Sequence, residues 1–275
     1  MTEAMSDKSL RTSVKSAIPE PLILLLQMVR YPYGLFRRPN DLRAAASFLR
    51  SPLPEISFGK RFSIIKSLCR ATVNVDCAHT EREMLTFMNT ILAMSPDIEG
   101  CIVEAGCCKG GSTAKFSLAA KYAGRRLVVF DSFEGLPENE EEHGSTILGE
   151  TPNFSAGRYA GTLEEVRSNV RQHGEIEVCD FIPGWFESTM PNFHQPVAAI
   201  YLDVDLVMST RTCLINLYPL LSPGGYIYSQ DGHLPRVIEL LSDDRFWETE
   251  VKHNRPEFEG LGTQKLVWAQ KELSE

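Results

Sequence analysis

The stretch Cys101–Thr113, CIVEAGCCKGGST, constrains the fold of this 275-residue chain more than any other. Cys101, Ile102 and Val103 form an apolar run of strand type, and Glu104 and Ala105 lead it to Gly106. Gly106, Gly110 and Gly111 allow close backbone approach, and Ser112 and Thr113 then open a helix. A strand, a glycine turn and a helix in this order make the first unit of a Rossmann-like α/β sheet. A dinucleotide turn wants G-x-G-x-x-G, but position 108 is a cysteine and the glycines fall as G-x-x-x-G-G, which disfavours a pyrophosphate. An acid at the strand end suits a ligand with a cationic amino-acid end, such as S-adenosylmethionine; the alternative is an ordinary strand-to-helix turn.

The second signal is the strand Leu127–Asp131, LVVFD, followed by Ser132. An acid at the end of the second strand of such a unit can accept hydrogen bonds from both ribose hydroxyls, so Asp131 supplies the glycine turn with a partner; capping a turn is its other reading. Further on, Glu177–Pro183 reads as a strand ending at Gly184, Trp185 and Phe186, where an aromatic ring could face adenine or join the core. Val197–Asp203 and Tyr226–Ser229 read as parallel strands that both deliver carboxylates at their C-terminal ends, where open α/β sheets bind ligands. Asp203, Asp205 and Asp231, with Gln230, could hold one divalent cation through hard oxygen donors, which suit magnesium; alternatively they cap the next helix and turn. His233 lies beside them as a candidate base or ligand, and His79, His143, His173, His194 and His253 have weaker claims.

Around these strands the helical pattern is legible. Thr80-x-x-Glu83 is a capping box, and Met84, Phe87, Met88, Ile91 and Leu92 recur at helical spacing, so a helix is expected over 80–95. Further helices are expected at 112–122, 162–172, from Ser209 to about Leu221, and over Pro235–Leu241. Residues 138–160 are polar and read as a long mobile loop, with the run Glu138, Glu140, Glu141, Glu142 as a solvated face. Trp247–His253 and Thr263–Gln270 read as two closing strands, giving seven in all.

The hydrophobic fraction of 43% can fill a substantial core, and the formal net charge of -8 argues against a nucleic-acid partner. Seven cysteines without a CxxC pair fit a reducing cytoplasm. Residues 1–78 read as an N-terminal extension, with a disordered start and then helices that form a lid or an oligomer contact, and 79–275 as the main domain. Within the extension, the apolar run Pro21–Val29 is far shorter than the ~20 residues of a spanning helix. With the basic and aromatic residues that follow, the segment 21–38 suits either a membrane surface or partner subunit, or packing on its own domain.

Taken together, VEAGCCKGGS, VFDSFEGLP, FSAGRYAGTLEEVRSNV, IPGWFESTMP, YLDVDLVMST and LYPLLSPGGYIYSQD resemble the macrocin O-methyltransferase family in order and spacing. The resemblance implies a class I methyltransferase fold, a seven-stranded, mostly parallel sheet, and a homo-oligomer. It further implies S-adenosylmethionine as methyl donor, magnesium held by aspartates, and a hydroxyl on a sugar of a natural product as acceptor. Carried over by position, Glu104, Gly106 and Asp131 would bind the donor and Asp203 and Asp231 the metal. Ala105, Gly110, Ser112, Ser132, Gly184 and Trp185 complete the expected donor site, Asp205 and Gln230 the metal site, and Asp203 and His233 the catalytic pair. The chain departs from the family at Val207 and Met208, where a tyrosine and an acid are common, and at Gln230, where a second aspartate stands.

Overall fold

The computed structural model describes residues 39–53, 55–142 and 144–273. The segment 21–38, the polar start of the chain and His143 lie outside these residues. Among the described residues no helix is long and apolar enough to cross a membrane.

A six-stranded sheet carries the fold: β1 (Cys101–Ala105), β2 (Leu127–Asp131), β3 (Cys179–Pro183), β4 (Val197–Leu202), β5 (Leu221–Ser229) and β6 (Val267–Gln270). Their order is β3-β2-β1-β4-β5-β6, with β1 to β5 parallel and β6 antiparallel to β5. β1, β2 and β4 are buried along their whole length, because helices cover both faces of the sheet. The order reverses between β1 and β4, so their carboxyl ends diverge and leave a crevice there.

Alternate strand residues feed two cores. Ile102, Val129, Ala199 and Tyr201 pack with α1 (Pro39–Arg50), α2 (Phe58–Asn74), α3 (Glu81–Ala93), α4 (Gly111–Tyr122) and α5 (Leu163–His173). Val103, Phe130, Ile200 and Leu202 pack on the other side with α7 (Val207–Leu217), α8 (Pro235–Ser242) and Trp247, while the short α6 (Phe186–Thr189) follows β3. Phe48 of α1 and Leu68 of α2 belong to the same cluster as Phe87, Phe116 and Tyr201, so the helices of residues 39–74 complete one layer of this domain. The capping box before α3 is formed from both sides: the Thr80 hydroxyl accepts from Glu83 N–H, and the Glu83 carboxylate accepts from Thr80 N–H.

The expected seventh strand is absent among the described residues. Over 247–253 the chain instead extends a short helix, Asp244–Phe246, into one π-helical turn, Trp247–Val251. Asp243 caps it by accepting from the N–H groups of Arg245 and Phe246. Trp247 and Val251 are four apart and both buried, which is helical spacing, while the Thr249 between them breaks a strand alternation. The closing strand is also shorter than 263–270, because Gly260 and Gly262, at φ 80° and 71°, hold the chain in a turn before it. β5 starts earlier than expected, at Leu221, with an irregularity where Val197 pairs Leu221 and Ala199 pairs Tyr226.

Candidate active site

The crevice at the strand reversal is a cavity of about 450 Å³, within the range of small-molecule sites. Of the expected residues, Gly106, Ser112, Asp131, Ser132, Trp185, Asp203 and Asp205 line it. Glu104, Ala105, Gly110, Gly184, Gln230, Asp231 and His233 are not in its wall.

The glycine turn is held by Asp131, whose Oδ2 accepts from the N–H groups of Cys107 (2.7 Å) and Cys108 (3.3 Å) while Oδ1 accepts from Phe133 N–H (2.7 Å). Gly106 has φ 83°, and a Cβ there would stand 2.0 Å from the Asp203 carbonyl oxygen, so only glycine lets the exits of β1 and β4 approach this closely. Gly110 and Gly184, at φ 78° and 133°, shape the turns on either side of the cavity.

Glu104 is wholly buried, and neither carboxylate oxygen has a well-formed hydrogen bond in the protein. Burial pushes its pKa up to about 8, although the hydroxyls of Ser112 and Thr113 pull it part of the way back. An orphaned buried carboxyl behind a glycine turn fits a cationic ligand, since a buried acid needs a partner.

At the other end, Asp203, Asp205 and Asp231 offer carboxylate oxygens that all lie within 4.8 Å of one another. Asp231 Oδ2 accepts from Val204 N–H and Asp205 N–H, both at 3.1 Å, which folds the β4 exit over it. Asp205 takes the left-handed conformation, φ 62°, which aspartate tolerates. Burial and the neighbouring acids push Asp205 well above the usual carboxylate range and Asp231 up to about 7. Burial acts on Asp203 in the same sense, but His79 outweighs it and holds Asp203 below the usual range.

His79, a weaker candidate than His233 by sequence, lines the cavity where His233 does not. Its Nε2 lies 2.8 Å from Asp203 Oδ2, and with Asp76, Cys77 and Ala78 it forms the wall between α2 and α3. The capping box at Thr80 marks where α3 starts, but nothing in the sequence shows that the preceding turn reaches β4. Lys265, just before β6, also lines the cavity and its charge acts on all three acids. Gln230 is turned elsewhere: its Oε1 accepts from Tyr201 Oη at 2.8 Å, inside the aromatic cluster of Phe87 and Phe116. His233 is 6% exposed with Nδ1 unpartnered, near enough to Asp203 to feel its charge but outside the cavity wall.

The acid run of the 138–160 loop is not simply solvated. Glu141 accepts from the N–H groups of Val207 and Met208, each at 2.9 Å, and so caps α7 directly after the acid cluster.

Residues 80–251, more than half of the chain, match the Macrocin-O-methyltransferase (TylF) family. The chain belongs to the macrocin O-methyltransferase family. It is 36% identical over 163 residues to the 8-demethyl-8-(2,3-dimethoxy-alpha-L-rhamnosyl)-tetracenomycin-C 4'-O-methyltransferase of Streptomyces olivaceus, covering 58% of this chain and 62% of that protein. It is 33% identical over 140 residues to the demethyldecarbamoylnovobiocin O-methyltransferase of Streptomyces niveus, covering 49% and 53%. The matches to these curated relatives therefore span between about half and three fifths of their length. Among solved structures, the O-methyltransferase NovP matches with a TM-score of 0.58 and 25% identity over 70% of this chain and 81% of that one. The calicheamicin methyltransferase CalS11 shares the fold, with a TM-score of 0.54 at 17% identity over 84% of this chain and 91% of that one. The family's sheet is present here with six strands.

Proposed function

We propose that this protein transfers a methyl group from S-adenosylmethionine to a hydroxyl of a small glycosylated acceptor. The observation that carries this reading is the meeting of the glycine turn at Gly106 and the carboxylates of Asp203 and Asp205 in one cavity wall. The Streptomyces olivaceus relative is named for a rhamnosyl-tetracenomycin, which supports the acceptor class.

S-adenosylmethionine supplies an electrophilic methyl on a sulfonium. Glu104, buried beside the wall residue Ser112, is suited to balance the charge of its ammonium end, Asp131 and Ser132 to hold its ribose, and Trp185 its adenine. Holding acceptor oxygen and methyl in line accounts for much of the rate. Asp203, kept ionised by His79, takes the proton from the hydroxyl as it attacks. Asp203, Asp205 and Asp231 are the residues that would hold a divalent cation, which would supply Lewis acidity toward the acceptor oxygen. One observation favours a metal-independent variant: the charge of Lys265 already acts on all three acids and that of His79 on Asp203 and Asp205.

Asp203→Asn decides the central assignment. Turnover should fall by about 10²–10⁴, the usual contribution of a general base, with S-adenosylhomocysteine affinity nearly unchanged. Retained activity would remove Asp203 from the mechanism. Chelation separates the two variants, since loss of turnover in EDTA, restored by magnesium, requires the metal.

A further inference from the structure

Cys77, in the link between α2 and α3, lines the cavity and takes no part in the methyl transfer proposed above. Its Sγ lies 3.1 Å from His79 Nδ1, while the opposite ring nitrogen reaches Asp203 Oδ2 at 2.8 Å. Thiol, imidazole and carboxylate thus form one chain of contacts, the arrangement in which a base oriented by an acid activates a nucleophile. A second cation reaches the sulfur from α4. Lys115 is wholly buried, with Nζ 3.7 Å from Cys77 Sγ and 3.6 Å from a Glu81 carboxylate oxygen. The first residue of α4 leaves room for this contact only as glycine, because a Cβ on Gly111 would stand 2.9 Å from Cys77 Cβ.

We propose that Cys77 is an activated nucleophile, reacting as its thiolate, and the covalent modification site of this protein for soft electrophiles and hydroperoxides, placed so that modification and cofactor occupancy of the cavity exclude each other. With an alkyl halide, the sulfur forms a carbon bond as the carbon–halogen bond breaks and halide leaves with the electron pair. With hydrogen peroxide, a sulfur–oxygen bond forms as the oxygen–oxygen bond breaks and hydroxide leaves; the sulfur is oxidised to a sulfenic acid and the peroxide is reduced. The other six cysteines form a built-in contrast. Burial raises the thiol pKa of Cys77 too, but the hydrogen bond from His79 and the charge of Lys115 outweigh it and leave it below the ordinary value. Burial holds Cys69 and Cys179 up at about 12, Cys101 and Cys108 at about 11, and Cys107 and Cys213 well above the ordinary value.

The test is competitive labelling of the full chain with limiting iodoacetamide at neutral pH, read peptide by peptide by mass spectrometry. Cys77 should label first, roughly tenfold or more ahead of Cys108 and Cys179, which are also partly exposed. Saturating S-adenosylhomocysteine should slow Cys77, together with the slower labelling of the cavity-lining Cys107 and Cys108, and leave Cys179 outside the cavity unchanged, an arm that rests on the cofactor reading of the cavity. His79→Gln should slow it as well, and Cys77→Ser should remove the fraction of activity lost to hydrogen peroxide. Labelling of Cys77 no faster than Cys108 in folded wild-type protein overturns the proposal without any variant. Fast labelling that S-adenosylhomocysteine does not slow overturns the mutual exclusion. Because labelling is read by mass whether or not methyl transfer occurs, its failure is distinguishable from failure of the proposed reaction.

Discussion

His79 Nε2 stands 2.8 Å from Asp203 Oδ2, joining the turn before α3 to the end of β4 across 124 positions of sequence. The pair settles the ionisation of the cavity's central acid, because burial alone would raise the Asp203 pKa and the imidazolium pulls it below the usual range. Replacing His79 with Gln keeps a hydrogen-bond donor and removes the charge. The Asp203 pKa should then rise, and the acid limb of kcat/KM should move to higher pH. At neutral pH the rate should fall by about tenfold or more, as expected when a general base is partly protonated. A purely structural role for His79 would reduce the amount of active protein and leave the limb in place, so the pH profile distinguishes the two.

Glu104 gives a second signature, in binding. Its pKa is raised by burial from 4.5 to about 8, so the folded protein holds a proton there that the unfolded chain releases. Stability from this group is therefore fully present below the unfolded pKa and declines as pH rises towards about 8. A bound ammonium reverses the balance by favouring the carboxylate. S-adenosylhomocysteine binding at pH 7 should release close to one proton, seen in calorimetry as an observed enthalpy that varies with the ionisation enthalpy of the buffer. Glu104→Gln should abolish that release, weaken binding by about tenfold or more, and flatten the decline in stability between pH 5 and pH 8. Buffer-independent enthalpies in the wild type would exclude charge coupling between Glu104 and the ammonium.

The Glu141 carboxylate ties the 138–160 loop to the N-terminus of α7, where two backbone N–H groups lack helical partners. Glu141→Ala should cost about 1 kcal/mol, in line with other helix N-terminal interactions, and lower Tm by about 3 °C. Limited proteolysis should cut within 138–160 sooner than in the wild type. An unchanged cleavage rate and Tm would show that the loop is held elsewhere.

Much of this protein is determined locally. The apolar runs at 101–105, 127–131 and 197–202, the capping box at Thr80 and the glycines at 106 and 110 fix strands, a helix start and a turn through interactions a few residues apart. That is why the doubly wound sheet and the acids at its carboxyl edge could be read from the chain. Trp247–Val251 shows the limit of such reading: short apolar spacing there suits strand or helix, and burial of Trp247 with the Asp243 cap selected the helix. The electrostatics of the site were decided by tertiary structure alone. A charge acts through distance in space, and only folding brings His79, Lys265 and the buried Lys115 to Asp203 and Cys77, while Tyr201 draws Gln230 into the aromatic core.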